Sequence, residues 1–313
     1  MFTNQRFNRF NRDYSGAEDL NHNRSDLVMT ALLETAPFAP VSDILISAAD
    51  EIRRIKVPIL LLAAPSIEGS LALAPIEAAL VDSGIPYRRR FKLEAPNEGS
   101  WIHILGSGEE TGPRIETNPF RLTIAGTVVK GLTGHRGDER KGPLTAIAQC
   151  NVLGQLISPH GLRTRRMKPW ALSGNWLHSS LDTTYDPVFT TIRDQLVEEG
   201  VIRVVCLPEV PEPNVSIHNW IDPTALDAIT SRWPTLDVEG RARALSHLVK
   251  PSLASSTPST ARLEEIIWHC VLSSGWSTDL AGQITAGAQL WKEYAAPIAA
   301  AKLVDKLLRD GKI

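Results

Sequence analysis

The first two-thirds of the chain alternates short, continuous apolar runs with longer segments in which apolar residues recur every three or four positions. The clearest run is Val57–Ala64, which has the length of a strand and carries no charged residue. A strand that is apolar on both faces is typical of the interior of a parallel sheet. The segment after Gly69 places Leu73, Ile76 and Leu80 at helical spacing. The pattern therefore predicts a strand, a tight turn and a helix.

The same alternation continues through most of the chain. We predict strands at Tyr87–Leu93, Trp101–Leu105, Phe120–Val129 and Val201–Cys206, helices at Leu144–Leu156 and Pro187–Glu199, and a polar, glycine-rich loop over Gly131–Pro143. Strands that alternate with helices are typical of an α/β domain with a parallel sheet and helices on both faces.

The pattern changes after Pro208. The segment Pro208–Asp222 is rich in proline and predicts a domain boundary or a long connector. Four helices are predicted beyond it, at Asp222–Ile229, Val238–Leu248, Thr260–Leu272 and Ala295–Leu308. The beginning of the chain is rich in asparagine and arginine and has no apolar period, which is typical of disorder. We therefore predict a disordered tail over 1–25, an α/β domain over 26–207 and a smaller, mainly helical region over 208–313.

Charge and cysteine content narrow the function classes. Lys and Arg number 33 and Asp and Glu number 35, so the chain has no overall field that would hold a nucleic acid. The three cysteines show no metal-ligand spacing and fit a reducing compartment. No apolar segment is long enough to cross a membrane, and the N-terminus lacks the apolar core of a signal peptide. The expected location is the cytoplasm, without membrane association.

Three short motifs occur in a fixed order along the chain, and the first two follow predicted strands. The first is AAPSIEG at 63–69, whose helix ends in DSGIPYRRRF at 82–91. The second is ILGSG at 104–108, and the third is ALSGNWLH at 171–178. Their order and spacing resemble the DHH phosphoesterase superfamily, in particular archaeal RecJ-like exonucleases. The corresponding family motifs are S-H-x-D-A-D-G, D-L-G-S-G and A-L-x-G-x-x-G-D. The family's D-H-H motif would fall near Leu122–Val128, where LTIAGTV offers no ligand.

The resemblance implies a two-metal site from which most ligands are missing. Family members hold two manganese or magnesium ions on these aspartates and histidines, and the two ions clamp the attacking and leaving oxygens of a phosphodiester. In this chain the ligand positions of the motifs are occupied by Ala64, Ser66, Glu68, Ile104 and His178. Only Glu68 and His178 can still donate to a metal, so we expect no catalytic residue, no metal and no cofactor.

Three hypotheses about function remain open. The first is a catalytically inactive RecJ-like subunit of a DNA replication assembly, because the resemblance implies partners of the GINS and MCM helicase type. The second is a manganese- or magnesium-dependent single-strand exonuclease or phosphodiesterase with non-standard ligands: Glu68, His103 and His178. The third is a module that binds single-stranded nucleic acid without cutting it.

Two groups of residues are candidates for binding phosphate. Gly106, Ser107 and Gly108 could cradle a phosphate through backbone amides, although a tight turn is an equally good interpretation. The basic candidates for nucleic-acid contacts are Arg136, Arg140, Lys141, Arg163, Arg165, Arg166 and Lys168. A solvated basic loop is the alternative interpretation for this second group.

Overall fold

A computed structural model of the chain describes residues 32–108, 111–133, 137–216, 218, 220–254 and 258–313. The predicted tail over 1–25 lies outside the described residues, as does Arg136. Within these residues, no helix is both long and apolar enough to cross a membrane.

The centre of the molecule is a five-stranded, mainly parallel sheet with the strand order β2-β1-β3-β5-β4. Strands β2, β1, β3 and β5 are parallel, and β4 is an antiparallel edge strand paired with β5. The strands are β1 (Ile59–Ala63), β2 (Tyr87–Phe91), β3 (Trp101–Ile104), β4 (Arg114–Thr117) and β5 (Phe120–Ile124). The predicted α/β class with a parallel sheet is confirmed.

Two helices that pack against each other beside the sheet have apolar sequences and begin at side-chain caps, Ser66 and Thr145. Helix α2 (Ile67–Asp82) is buried from Gly69 to Leu80, so it lies in the interior of the molecule. Helix α3 (Ala146–Ile157) packs against α2 and α1 (Ser42–Arg54). The α2–α3 contact is very close, because a Cβ atom on Gly154 would lie 2.6 Å from the carbonyl oxygen of Pro75.

A β-hairpin replaces the strand and loop that were predicted after β5. The predicted strand Phe120–Val129 ends at Ile124, and the predicted loop Gly131–Pro143 is instead occupied by both arms of the hairpin, β6 (Thr127–Thr133) and β7 (Glu139–Leu144). The loop prediction was wrong because the hairpin is glycine-rich and largely exposed, a pattern that also fits a loop. Gly131 allows the hairpin to pack on α6 (Pro187–Glu198), since a Cβ there would lie 2.7 Å from Pro187.

The region after residue 207 is mainly helical, as predicted, with one strand that was missed. The predicted helix Thr260–Leu272 is in fact α9 (Thr260–Ile267) followed by β9 (Cys270–Ser273). Strand β9 pairs antiparallel with β8 (Ile202–Val205), so β8 is not the last strand of the chain. The other helices are α4 (Leu162–Met167), α5 (Ser173–Leu177), α7 (Pro223–Arg232), α8 (Val238–Val249), the unpredicted α10 (Leu280–Glu293) and α11 (Ala296–Asp310). Short 3₁₀ helices lie at Lys168–Leu172, Ser179–Asp182, Leu207–Glu209, Trp233–Thr235 and Lys250–Ala254.

The last helix packs directly against the α/β part of the molecule. Leu303 on α11 is fully buried, and α11 contacts α2 along its length. An ion-pair cluster joins the same elements, since Arg89 on β2 donates to Glu77 on α2 at 3.2 Å and to Asp305 on α11 at 2.7 Å. The helical region and the sheet therefore share one core. The domain boundary at residue 208 stays a prediction.

Candidate functional site

A narrow cleft lies at the carboxyl ends of β1 and β3. The next strand in the chain, β2, pairs with one edge of β1. The strand after it, β3, pairs with the other edge of β1, so the strand order reverses between β1 and β3. Ligand sites of open α/β sheets are found at such a reversal. The cleft encloses about 560 Å³ including its open mouth, but only about 50 Å³ of it admits the centres of water-sized molecules. It is lined by Ala64, Glu68, Gly69, Ala72, Ile104, Leu105, Gly106, Ser107, Gly108, Gly126, Pro143, Thr145, Ala146, Ile147, Gly174 and His178.

The structure brings four of the five predicted motif positions together in this one cleft. Ala64 and Glu68 come from the turn after β1, and Ile104 ends β3. His178 comes from the end of α5, more than a hundred residues after Glu68 in the chain. Gly126, from the segment where the D-H-H motif was expected, also lines the cleft. Four separate segments thus meet at the position that the sequence comparison indicated.

The turn between β1 and α2 is tight and is held by a helix cap. Ser66 does not line the cleft; its hydroxyl accepts a hydrogen bond from the amide of Gly69 at 3.1 Å and so caps α2. A Cβ atom on Gly69 would lie 2.2 Å from the carbonyl oxygen of Ala64, which makes glycine necessary there. The frame of the first motif is therefore well formed, although Ala64 has no side-chain donor to offer.

His178 is held in place from two sides. Its Nδ1 accepts a hydrogen bond from the amide of Ser180 at 3.1 Å, and its carbonyl accepts one from Arg262 at 3.3 Å. Arg262, on α9, also donates to the carbonyl of Trp176 at 2.7 Å and lies over the Trp176 ring, 4.8 Å from its centroid. The helical region thus fixes one wall of the cleft. Nothing in the local sequence pattern indicated this role for Arg262.

His103 lies elsewhere. It is the neighbour of Ile104 on β3, and successive side chains of a strand point to opposite faces. His103 is buried in edge contact with Trp101, at 6.1 Å between ring centroids, and it is not among the residues that line the cleft. Of the three donors considered for a residual metal site, the structure brings only Glu68 and His178 to the cleft.

These donors do not fit the two-metal site that the family resemblance implies. Manganese and magnesium take several oxygen ligands, and two ions need shared carboxylates. Among the residues that the structure describes, the cleft is lined by one carboxylate and one imidazole. Across the part of the chain that the structure describes, no three His, Cys, Asp or Glu side chains form a group that could hold a metal ion. We therefore derive no metal-dependent step for this cleft.

Buried amide side chains brace the cleft from behind. Asn175 donates from Nδ2 to the carbonyl of Pro143 at 2.8 Å and to the carboxylate of Asp186 at 2.9 Å. Gln149 donates from Nε2 to the carbonyl of Ala125 at 2.7 Å. These residues were not singled out from the sequence. Their signal was a polar residue within an apolar stretch, a pattern that marks a buried hydrogen-bonding role.

The loop Gly106–Gly108 faces open space. Gly108 has φ of +100°, which requires glycine, and neither Gly106 nor Gly108 has an atom within 4 Å of an added Cβ. The loop therefore forms part of the mouth of the cleft. Phosphate binding by its backbone amides remains a prediction.

The basic candidates divide between two elements. Arg140 and Lys141 are exposed on β7, and the nearest carboxylate to Arg140 is that of Asp138 at 3.6 Å. The other four basic candidates lie on α4 or directly after it. Arg163 pairs with Asp82 at 3.0 Å, and the largely buried Lys168 pairs with Glu199 at 3.0 Å.

Arg165 and Arg166 are exposed, and among the described residues neither has a carboxylate partner. The structure therefore assigns two of the four α4 candidates to internal ion pairs and leaves two available for a ligand.

Comparisons with known proteins add no identification. No protein-family model matches the chain, and no relative is found among curated proteins.

Proposed function

We propose that the chain is a non-hydrolytic protein of the DHH phosphoesterase type, similar to archaeal RecJ-like proteins, that serves as a structural subunit of a DNA replication assembly. One observation carries the proposal. Three segments that resemble family motifs, and the segment where the D-H-H motif was expected, line a single cleft at the carboxyl ends of parallel strands.

The motifs were placed on the sequence without assuming that they lie close together, so their meeting in one cleft supports kinship with the family. Each motif alone is an ordinary strand, turn and helix, which many α/β proteins contain. The segments around Ala64, Ile104, Gly126 and His178 are separated by 20 to 50 residues or more, yet all four reach the same space. The turns after β1, β3 and β5 share one sheet edge in any parallel α/β domain, so the specific support comes from His178, which follows a helix and still reaches the same cleft.

The chemistry of the cleft supports binding rather than hydrolysis. Metal-dependent cleavage of a phosphodiester needs ligands that position two cations and lower the pKa of a bound water. At these positions Ala64 and Ile104 present only hydrocarbon, and Ser66 is used as a helix cap.

The subunit role rests on the family precedent and is tested by finding partners. The full chain, carrying an affinity tag, is purified from a native extract, with an unrelated tagged protein of similar size as the control. We expect GINS and MCM components to be recovered with the chain and not with the control. Their absence would remove the replication role while leaving the argument about the cleft intact.

The competing hydrolase hypothesis predicts a metal affinity that can be measured. Wild-type protein and the Glu68→Ala variant are titrated with manganese in a calorimeter. We expect the same weak, unsaturable heat from both proteins, because two donors do not build the site. Saturable binding in the wild type that disappears in Glu68→Ala would favour the hydrolase.

A further inference from the structure

The helices that contact the five-stranded sheet closely lie on one of its faces. Among the described residues these helices are α1, α2 and α3, and α3 packs against the other two, so the three form one layer. Arg89 on β2 pairs with Glu77 on α2 at 3.2 Å, so this layer covers the face that carries Arg89. Helices on both faces were predicted from the sequence, whereas the described residues place this layer on one face.

The opposite face is formed by side chains that stand in rows across the strands. Paired residues of neighbouring strands share a face, and successive residues of one strand alternate between faces. One row contains Arg88, Leu60, Trp101 and Arg121, from β2, β1, β3 and β5 in turn. The next row begins with Arg90 and Leu62. We call the surface that these two rows form the open face.

The connection between β2 and β3 crosses the open face as a loop, at residues 92–100. A connection between parallel strands usually contains a helix, and parallel sheets are usually covered on both faces. The loop is held above β3 and β5, because the Pro96 carbonyl accepts from the Trp101 ring nitrogen at 3.1 Å and the Asn97 carbonyl accepts from Arg121. A loop therefore occupies the position where a helix is usual.

The open face is apolar in its middle and cationic along β2. Leu60 and Trp101 are half-buried, so part of each side chain is accessible. Arg88 and Arg90 are exposed, and within the described ranges neither forms an ion pair. Because these two arginines are two residues apart on one strand, they point to the same side of the sheet. The face thus presents an apolar strip with positive charge beside it.

The carboxylates near the open face do not neutralise these two arginines. Glu116 on β4 pairs with Arg121 at 3.5 Å. Glu94 and Glu98 on the crossing loop are exposed, and among the described residues neither forms an ion pair. A carboxylate of a ligand placed beside β2 therefore gains an ion pair without breaking one inside the protein.

We propose that the open face docks an acidic, amphipathic helix of a partner protein. A helix is the element that packs on an apolar sheet face in α/β domains. Its apolar stripe lies on Leu60 and Trp101, and acidic residues beside the stripe face Arg88 and Arg90. The proposal rests on the sheet alone and not on the replication role, so each can fail without the other.

The charges and the tryptophan select this occupant over the alternatives. A second copy of the chain that met the first through the open face would bring arginines toward arginines, and like charges across an interface are costly. Stacking on a nucleic-acid base is disfavoured because the guanidinium of Arg121 lies over the Trp101 ring, 6.0 Å from its centroid. Leu60 and Leu62 match an apolar side chain and have no group that binds a phosphate.

The probe is a displayed library of random helical segments of about 18 residues, or five turns. The library is depleted on an Arg88→Glu, Arg90→Glu variant and then selected on the full wild-type chain. We expect enrichment of segments that combine acidic residues with apolar residues at helical spacing, i, i+3, i+4 and i+7. Depletion on the variant favours acidic segments by design, so the apolar spacing is the independent result.

Fluorescence anisotropy then measures the affinity of an enriched segment for the variants. Binding to the Arg88→Glu, Arg90→Glu variant should be about tenfold weaker, because two exposed ion pairs are replaced by repulsions. The matched control is Arg54→Glu, Arg243→Glu, which has the same net charge and changes exposed arginines outside the open face. It should bind like wild type. A segment with lysine in place of its acidic residues should recover binding to the Arg88→Glu, Arg90→Glu variant.

Several outcomes would overturn the proposal. They are no enrichment, enriched segments without apolar helical spacing, an equal loss in the control variant, and no recovery by the lysine segment. A wild-type dimer that Arg88→Glu, Arg90→Glu dissociates in sedimentation would assign the open face to a second copy. Binding of phosphatidylserine vesicles that is lost in the same variant would assign it to a membrane surface.

Discussion

Replacing Asp186 with alanine should destabilise the protein by about 3 kcal/mol and loosen the wall of the cleft. Asp186 is 2% exposed and caps α6. Its Oδ1 accepts from the amides of Val188 at 2.9 Å and Phe189 at 3.1 Å. Its Oδ2 accepts from the Asn175 amide and the Ser180 hydroxyl, each at 2.9 Å.

The expected change is the sum of the lost helix cap and the two lost side-chain hydrogen bonds, less the desolvation cost of the buried carboxylate. Loss of an aspartate cap costs about 1–2 kcal/mol. Each hydrogen bond to a charged group contributes about 1.5 kcal/mol or more, so the Asn175 and Ser180 bonds together account for about 3 kcal/mol. Removing a buried carboxylate also relieves its desolvation, which offsets about 1–2 kcal/mol. A net loss of about 3 kcal/mol remains.

Urea denaturation followed by circular dichroism measures the change in the free energy of unfolding. The matched control is Asp194→Ala on the same helix. The Asp194 side chain is 64% exposed and pairs only with its neighbour Arg193, so a change below about 0.5 kcal/mol is expected. If Asp186→Ala stays within about 0.5 kcal/mol of wild type, the reasoning about this buried network is refuted.

Three further predictions concern the core, the β1–α2 turn and pH. Leu303→Ala, in the fully buried face of α11, should cost about 2–5 kcal/mol and keep a single urea transition, whereas two separate transitions would show that the helical region folds independently. Gly69→Ala should prevent stable folding or lower the thermal midpoint strongly, because its Cβ would lie 2.2 Å from the Ala64 carbonyl oxygen; an unchanged midpoint would contradict the observed turn. Burial, and then the nearby Arg262, lower the pKa of His218 to about 4 from an ordinary value of 6.5, so the folded state binds this proton less well. The contribution of His218 to the free energy of unfolding should be present above pH 6.5 and lost as the pH falls toward 4. In a His218→Gln variant, the free energy of unfolding should lose this part of its dependence on pH.

The sequence pattern correctly predicted the elements in which the hydrophobic period and the segment length indicate the same type of structure. The run Ile59–Ala63 has strand length and α2 has helical length, and both are buried in the structure as expected. The first two motif frames could be placed for the same reason, because each follows a strand, whereas the third lies on the 3₁₀ helix Lys168–Leu172 and on α5. Strand alternation alone separates His103 from Ile104, so the absence of His103 from the cleft could have been predicted. The contact of Arg262 with His178 joins distant segments and appears only in three dimensions.

The missed elements have local causes. The continuous apolar run around Ile266–Leu272 shows neither a helical nor a strand period, and the change from α9 to β9 lies inside it. In α10, small residues dilute the apolar pattern. The cap signal was nevertheless present, since Asp279 accepts from the amide of Gly282 at 3.0 Å.

The most direct test of the central claim is whether the protein cuts single-stranded DNA. Pure protein is incubated with end-labelled single-stranded DNA and manganese, beside Glu68→Ala and a control variant, Glu98→Ala, at an exposed position outside the cleft. We predict that the DNA remains intact in all three reactions. Degradation by wild type and Glu98→Ala that is abolished in Glu68→Ala would contradict the account.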